Sequence, residues 1–140
     1  MDYATVTNFV NKTISKTTDR SLKWITLSDD YPVKLLPIEK TELELPFHDY
    51  DLSRAYSFVA PFKSGHILLL VYKSTNYVAT FNPPTDCKMS LRIQDESSVF
   101  PIEITNSEDS VHTSDLIRLY NLIVEKNTAI HSLINDFLNS

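Results

Sequence analysis

The chain has 140 residues, 42% hydrophobic and 22% charged, and its 13 basic and 18 acidic side chains give a net charge of −5. That suits one soluble domain with its own core and excludes wholesale disorder. One glycine (Gly65) and one cysteine (Cys87) exclude glycine-rich phosphate loops, dinucleotide fingerprints, the α/β-hydrolase nucleophile elbow, internal disulfides and cysteine zinc sites.

The first segment reads as a helix. Asp2 is placed to cap it, and Tyr3, Val6, Phe9, Val10 and Ile14 recur on one face. Lys12 and Lys16 lie opposite, toward the C-terminal end, where positive charge suits the helix dipole. Met1 to Val10 is already mixed polar and apolar, so no secretory leader is expected and the cytoplasm is the default location.

From Leu22 to Thr105 the apolar period falls to two, the period of strands. Leu22–Leu27 and Val33–Leu36 flank a Ser28-Asp29-Asp30 turn and suggest a loose hairpin. Glu42 to Phe47 alternates cleanly, and its glutamates and Pro46 suit a sheet edge. His48-Asp49-Tyr50-Asp51 then reads as an acidic loop. Tyr56, Phe58, Ala60 and Phe62 line one face of the next strand, Lys63-Ser64-Gly65 turns, and Ile67–Tyr72 returns. That return run is apolar at every position but is far too short to cross a bilayer. It fits a central strand covered on both faces.

Tyr77–Phe81 continues the meander, and Asn82 to Asp86 is a loop. Met89, Leu91 and Ile93 are expected inside, against Lys88, Ser90, Arg92 and Gln94 outside. Phe100, Ile102 and Ile104 likewise oppose Pro101 and Glu103, and Pro101 again argues for an edge.

The last segment reads as one long helix with Ser114 as its cap and Asp115 in the first turn. Leu116, Leu119, Tyr120, Ile123, Ile130, Leu133, Ile134, Phe137 and Leu138 form a stripe, which Ile117, Leu122 and Val124 widen to about 220° at roughly 100° per residue. A single sheet cannot shelter so wide a face. The N-terminal helix is one cover; a second copy is another, and would make a homodimer through the C-terminal helix. Asn127 projects into the middle of the apolar face, so either the helix breaks there or a buried amide needs a partner.

Little in the chain points to chemistry. The four histidines, His48, His66, His112 and His131, show no metal-site spacing, so no metal or cofactor is expected. Pairing Cys87 with His66 or His112 as a nucleophile has no support from sequence, and no catalytic residue is assigned. Tyr56, Phe58 and Phe62 could stack bases, but the charges near them are mostly acidic, so they read as core and Trp24 as a core anchor. Between Asp95 and Asp115 lie six carboxylates and no Lys or Arg. Such a surface repels nucleic acid and suits a basic protein partner. Asp95, Glu96, Glu108, Asp109, Asp49 and Asp51 are therefore the candidate partner-binding residues.

Leu22-Lys23-Trp24, Gly65 to Leu70, Leu116 to Ile123 and Ile134 to Leu138, following an N-terminal helix, make an order of features that resembles uncharacterised small proteins of Gram-positive bacteria and their mobile elements. The resemblance touches about a third of the chain. It implies an α+β fold and a bacterial or phage origin, and it carries over no activity.

The expectation is a single α+β domain, 1–140, with an antiparallel, meander-like sheet packed by an N-terminal helix and a long C-terminal helix. Functionally it reads as a non-enzymatic, acidic protein-binding module of the inhibitor, immunity or anti-defence kind. Two alternatives stand beside it: a small-molecule-binding or hydrolytic domain with a pocket of Tyr56, Phe58, Tyr72 and His66 on the concave sheet face, and a homo-oligomeric scaffold through the C-terminal helix.

Overall fold

A computed structural model describes residues 1–27, 50–74, 82–85, 87–96, 101–126 and 128–140. The expected elements at 33–36, 42–47 and 77–81, and the residues His48, Asp49, Phe100 and Asn127, lie outside the described residues.

Helix α1 spans Tyr3–Thr18. The Asp2 carboxylate accepts from the Thr5 amide at 2.8 Å, as the capping reading requires. Val10 and Ile14 are buried, with Val6 and Phe9 packed beside them. Thr13 and Thr17 are buried too, and each hydroxyl donates to the carbonyl four residues back, which lets a polar residue face the core.

Among the described residues, five strands follow in the order β1-β2-β3-β4-β5, all antiparallel: β1 Ile25–Thr26, β2 Tyr50–Phe62, β3 Gly65–Ser74, β4 Lys88–Asp95 and β5 Ile102–Asn106. The central strand is β3, the run read as apolar on both sides. Ile67, Leu69 and Val71 face α1 and the helix that carries Leu116 and Leu119, whereas Leu68, Leu70 and Tyr72 face a second cluster with Leu27 and Val59. Leu68 through Tyr72 is wholly buried.

The hairpin differs from its expected form in two respects. Tyr50 and Asp51 belong to β2, paired with Ser74 and Lys73, and not to a loop. The register also slips between Ser53 and Phe58. There Ser57 takes over part of the ladder: its hydroxyl donates to the Ser53 carbonyl at 2.6 Å and accepts from the Val71 amide at 2.8 Å. The bulge explains why Tyr56 is exposed while Phe58 and Ala60 on the same reading are buried.

On β4, Met89 and Leu91 point into the helix-side core as expected, but Ser90, Arg92 and Gln94 are buried as well. The sheet's second face is covered, so these polar side chains cannot reach water. Arg92, 3% exposed, meets Ser90 Oγ at 2.9 Å and Glu103 Oε2 at 3.0 Å instead. Strand β5 is an edge, as Pro101 suggested, yet Ile102 is exposed and only Ile104 is buried. A register shift between Leu91 and Arg92 sets Ile102 opposite Ile93 near the open end of the sheet.

The expected C-terminal helix is described as α2, Thr113–Lys126, and α3, Thr128–Leu138, on either side of Asn127. Leu116, Leu119, Tyr120 and Ile123 are buried against the sheet, and Ile117 and Leu122 pack on the same core. Helix α1 lies beside α2 and supplies the cover that its wide face demands. Among the described residues, no helix is long and apolar enough to cross a membrane.

Candidate functional site

The sheet register separates the candidate acidic residues. Gly65 pairs with Asp95 at one end of β3–β4, and Tyr72 with Lys88 at the other, seven steps or about 24 Å away at about 3.4 Å per residue. Asp95 and Glu96 sit at the first end, where the Glu96 amide closes on the Ser64 carbonyl at 3.0 Å. Asp51, opposite Lys73, belongs to the far end, as does Glu108, whose carboxylate is 2.9 Å from Lys88 Nζ. Asp49 lies outside the described residues. Asp95 and Glu96 are brought together; Asp51, Glu108 and Asp109 do not join them.

Asp109 is occupied within the chain. Its Oδ2 is 2.9 Å from His112 Nδ1 and accepts from Thr105 Oγ1, while Oδ1 accepts from the Val111 amide. The bond to His112 and then the Val111 amide hold its carboxyl below the usual Asp range. On the other side of the ring, His112 Nε2 is 3.1 Å from Thr7 Oγ1 on α1. Asp109, His112 and Thr7 thus follow the atom order of a hydroxyl relay. The position argues against catalysis. His112 is 2% exposed, the Tyr3 ring lies 5.8 Å from it, and Thr7 sits inside a helix whose amides are committed to helical bonds. The trio ties α1 to the entrance of α2. The Asp-x-x-His spacing could have been found in the sequence; Thr7, 105 residues away, gave no signal.

The expected concave-face pocket does not form. Phe58 packs in the helix-side core and Tyr72 in the opposite cluster, so they point to different faces of the sheet. Tyr120 meets the Phe58 ring edge-on at 5.6 Å, and burial, with Cys87 and Tyr56 adding to it, pushes its phenol up to about 12. It stays neutral near pH 7. Cys87 donates to the Pro84 carbonyl at 3.4 Å. It adjoins Lys88, whereas His66 pairs with Gln94 toward the opposite end of the sheet. Trp24 is the core anchor expected, its Nε1 donating to Thr17 Oγ1 at 3.0 Å. Among the described residues, no group of three or more His, Cys, Asp or Glu side chains could hold a metal ion.

The least accommodated surface is α3. Leu133, Ile134, Phe137 and Leu138 are between 49% and 78% exposed, and Val124 on α2 is also exposed. Within Thr128–Leu138 the only Asp, Glu, Lys or Arg is Asp136. An isolated helix of this length is marginal in water, so this face wants a cover that the chain's described residues do not supply.

No family model, curated protein or solved structure matches this chain.

Proposed function

We propose that the chain is a non-enzymatic protein-binding module that works as a homodimer, closed by α3 against the same helix of a second copy. The exposed face of Leu133, Ile134, Phe137 and Leu138 carries this reading. The four side chains expose on the order of 500 Å² of mostly apolar surface, within the range of functional patches on monomers. Two such faces together hold about 1,000 Å², the least area that a biological interface should bury. A second copy is favoured over a charged partner because α3 has one carboxylate and no Lys or Arg. Like faces meeting across a two-fold axis need no complementary charge.

The reading departs from the acidic surface expected for a basic partner. The separation of Asp95 and Glu96 from Asp51 and Glu108, and the internal bonds of Asp109, leave no broad anionic patch among the described candidates. The test is mass in solution. Sedimentation equilibrium at tens of micromolar should give twice the chain mass for the wild type and the single-chain mass for Leu133→Ser/Phe137→Ser. A monomeric wild type overturns the proposal.

A further inference from the structure

The geometry points to a binding groove for a small amphipathic anion, an alkyl or aryl chain ending in one carboxylate or phosphate, at the Phe62 end of the sheet. Two cavities open there, of about 310 Å³ and about 100 Å³, and they share Phe62, Ile67 and Ile93 as a common apolar floor. The larger runs along the Lys63–Ser64 turn toward Ile102; the smaller runs under α1. Their joint size suits a ligand of ten to fifteen heavy atoms on the order of small-molecule sites generally. The exposed side chains of Phe62 and Ile102 belong to this groove, which gives their exposure a use.

The polar lining sets the sign of the ligand. Lys12 and Lys16 reach the groove from α1 and Lys63 from the hairpin turn. The Lys16 and Lys63 ammonium groups each lie 5.7 Å from the Phe62 ring centroid. One carboxylate, Asp95, shares the described lining. Three cations against one anion is a local excess of positive charge in a chain of net charge −5. An apolar floor rimmed by ammonium groups selects a molecule that is greasy along its length and negative at one end. Lys63 also holds a left-handed backbone with φ 51°, a conformation that favours glycine.

The probes are decanoate, decyl phosphate, decanol and decyltrimethylammonium, each titrated into the ¹⁵N-labelled full chain below its micellar concentration. Decanoate or decyl phosphate should bind saturably and shift the amides of Gly65, Ile67 and Ile93, and decanol and the ammonium should bind at least tenfold more weakly. Which anion binds more tightly separates a carboxylate from a phosphate ligand. Lys63→Gly removes a charge at a backbone position that glycine prefers, so it should stay folded while weakening the anions three- to tenfold. Lys16→Glu/Lys63→Gly should abolish saturation. Equal binding of decanol and decanoate, shifts confined to α3, or unchanged affinity in Lys63→Gly would each overturn the proposal. Leu133→Ser/Phe137→Ser should leave binding intact, which separates this site from the α3 contact.

Discussion

His112 Nδ1 stands 2.9 Å from Asp109 Oδ2, and the same ring reaches Thr7 on α1 through its other nitrogen at 3.1 Å. One imidazole therefore joins the first helix to the loop that starts the second. Because the bond from His112, and after it the Val111 amide, hold the Asp109 carboxyl below its ordinary value of 3.8, the ionised form is favoured by folding. A depressed carboxyl pKa contributes stability that is fully present above the unfolded value and lost as pH falls through the folded one. Thermal stability should thus decline as pH is lowered below the ordinary carboxylate range. Asp109→Asn should be less stable than the wild type near pH 7, by about 1 kcal/mol, a modest figure because the carboxylate is 40% exposed. The gap should narrow in acid. A gap that stays constant from neutral to acid pH would show that the carboxylate charge is not what the tie uses.

Arg92 is the buried cation of the sheet, and its charge is answered by Glu103 Oε2 at 3.0 Å. Ser90 Oγ and Asn106 Nδ2 also donate to that carboxylate, each at 2.6 Å. Removing the anion alone leaves a buried guanidinium with Ser90 Oγ but no countercharge, so Glu103→Ala should cost about 3 kcal/mol in chemical denaturation. Arg92→Met/Glu103→Leu removes both charges and should recover most of that loss. A double variant no more stable than Glu103→Ala would refute the account.

How much of this was legible in the sequence depends on what each residue's pattern can encode. Asp2 and the 3.6-residue period of α1 were readable because caps and periods are local. The centrality of β3 was readable because a run of six apolar residues has no polar face to turn outward. The burial of Ser90, Arg92 and Gln94 was not, since alternation looks the same whether the polar face meets water or a polar interior network. The exposure of Ile102 depended on a register shift, and register is set by pairing with another strand. Asp95, Glu96, Glu108 and Asp109 were close in sequence, but β4 carries Asp95 and Lys88, the partner of Glu108, to opposite ends of the sheet, and proximity along the chain could not reveal that.

Gly65 is the chain's one glycine and begins β3 opposite Phe62 and Asp95. A Cβ there would fall inside van der Waals contact of the Gln94 carbonyl oxygen, a backbone atom that cannot rotate away. Gly65→Ala should therefore force the β3–β4 ladder apart locally and destabilise by about 1–3 kcal/mol, as overpacking does. The loss should appear as a lower denaturation midpoint with an unchanged slope. An unchanged midpoint would mean that the ladder opens at no cost.

Thr17 and Trp24 supply a test of how α1 is fastened to the sheet. Thr17 Oγ1 accepts from Trp24 Nε1 at 3.0 Å and donates to the Thr13 carbonyl at 2.7 Å, and both side chains are buried. Thr17→Val keeps the shape and leaves the indole N–H unpaired, so it should cost about 1–2 kcal/mol. Trp24 is the only tryptophan, so its fluorescence during unfolding reports the event directly.

The proposed α3 dimer would be closed by apolar burial with little help from charge. Asp136 is the only Asp, Glu, Lys or Arg in α3, so association through Leu133, Ile134, Phe137 and Leu138 has almost no ionic component. The dimerisation constant should change less than about threefold between low and physiological salt, where a contact made by opposed charges would weaken steeply. Sulfate should tighten the dimer and cooling should loosen it, since apolar burial strengthens in kosmotropic salt and weakens in the cold. Both responses can be read from sedimentation equilibrium on one preparation. A dimer that dissociates on adding sodium chloride would have to be held by the carboxylates of the sheet ends instead of by α3.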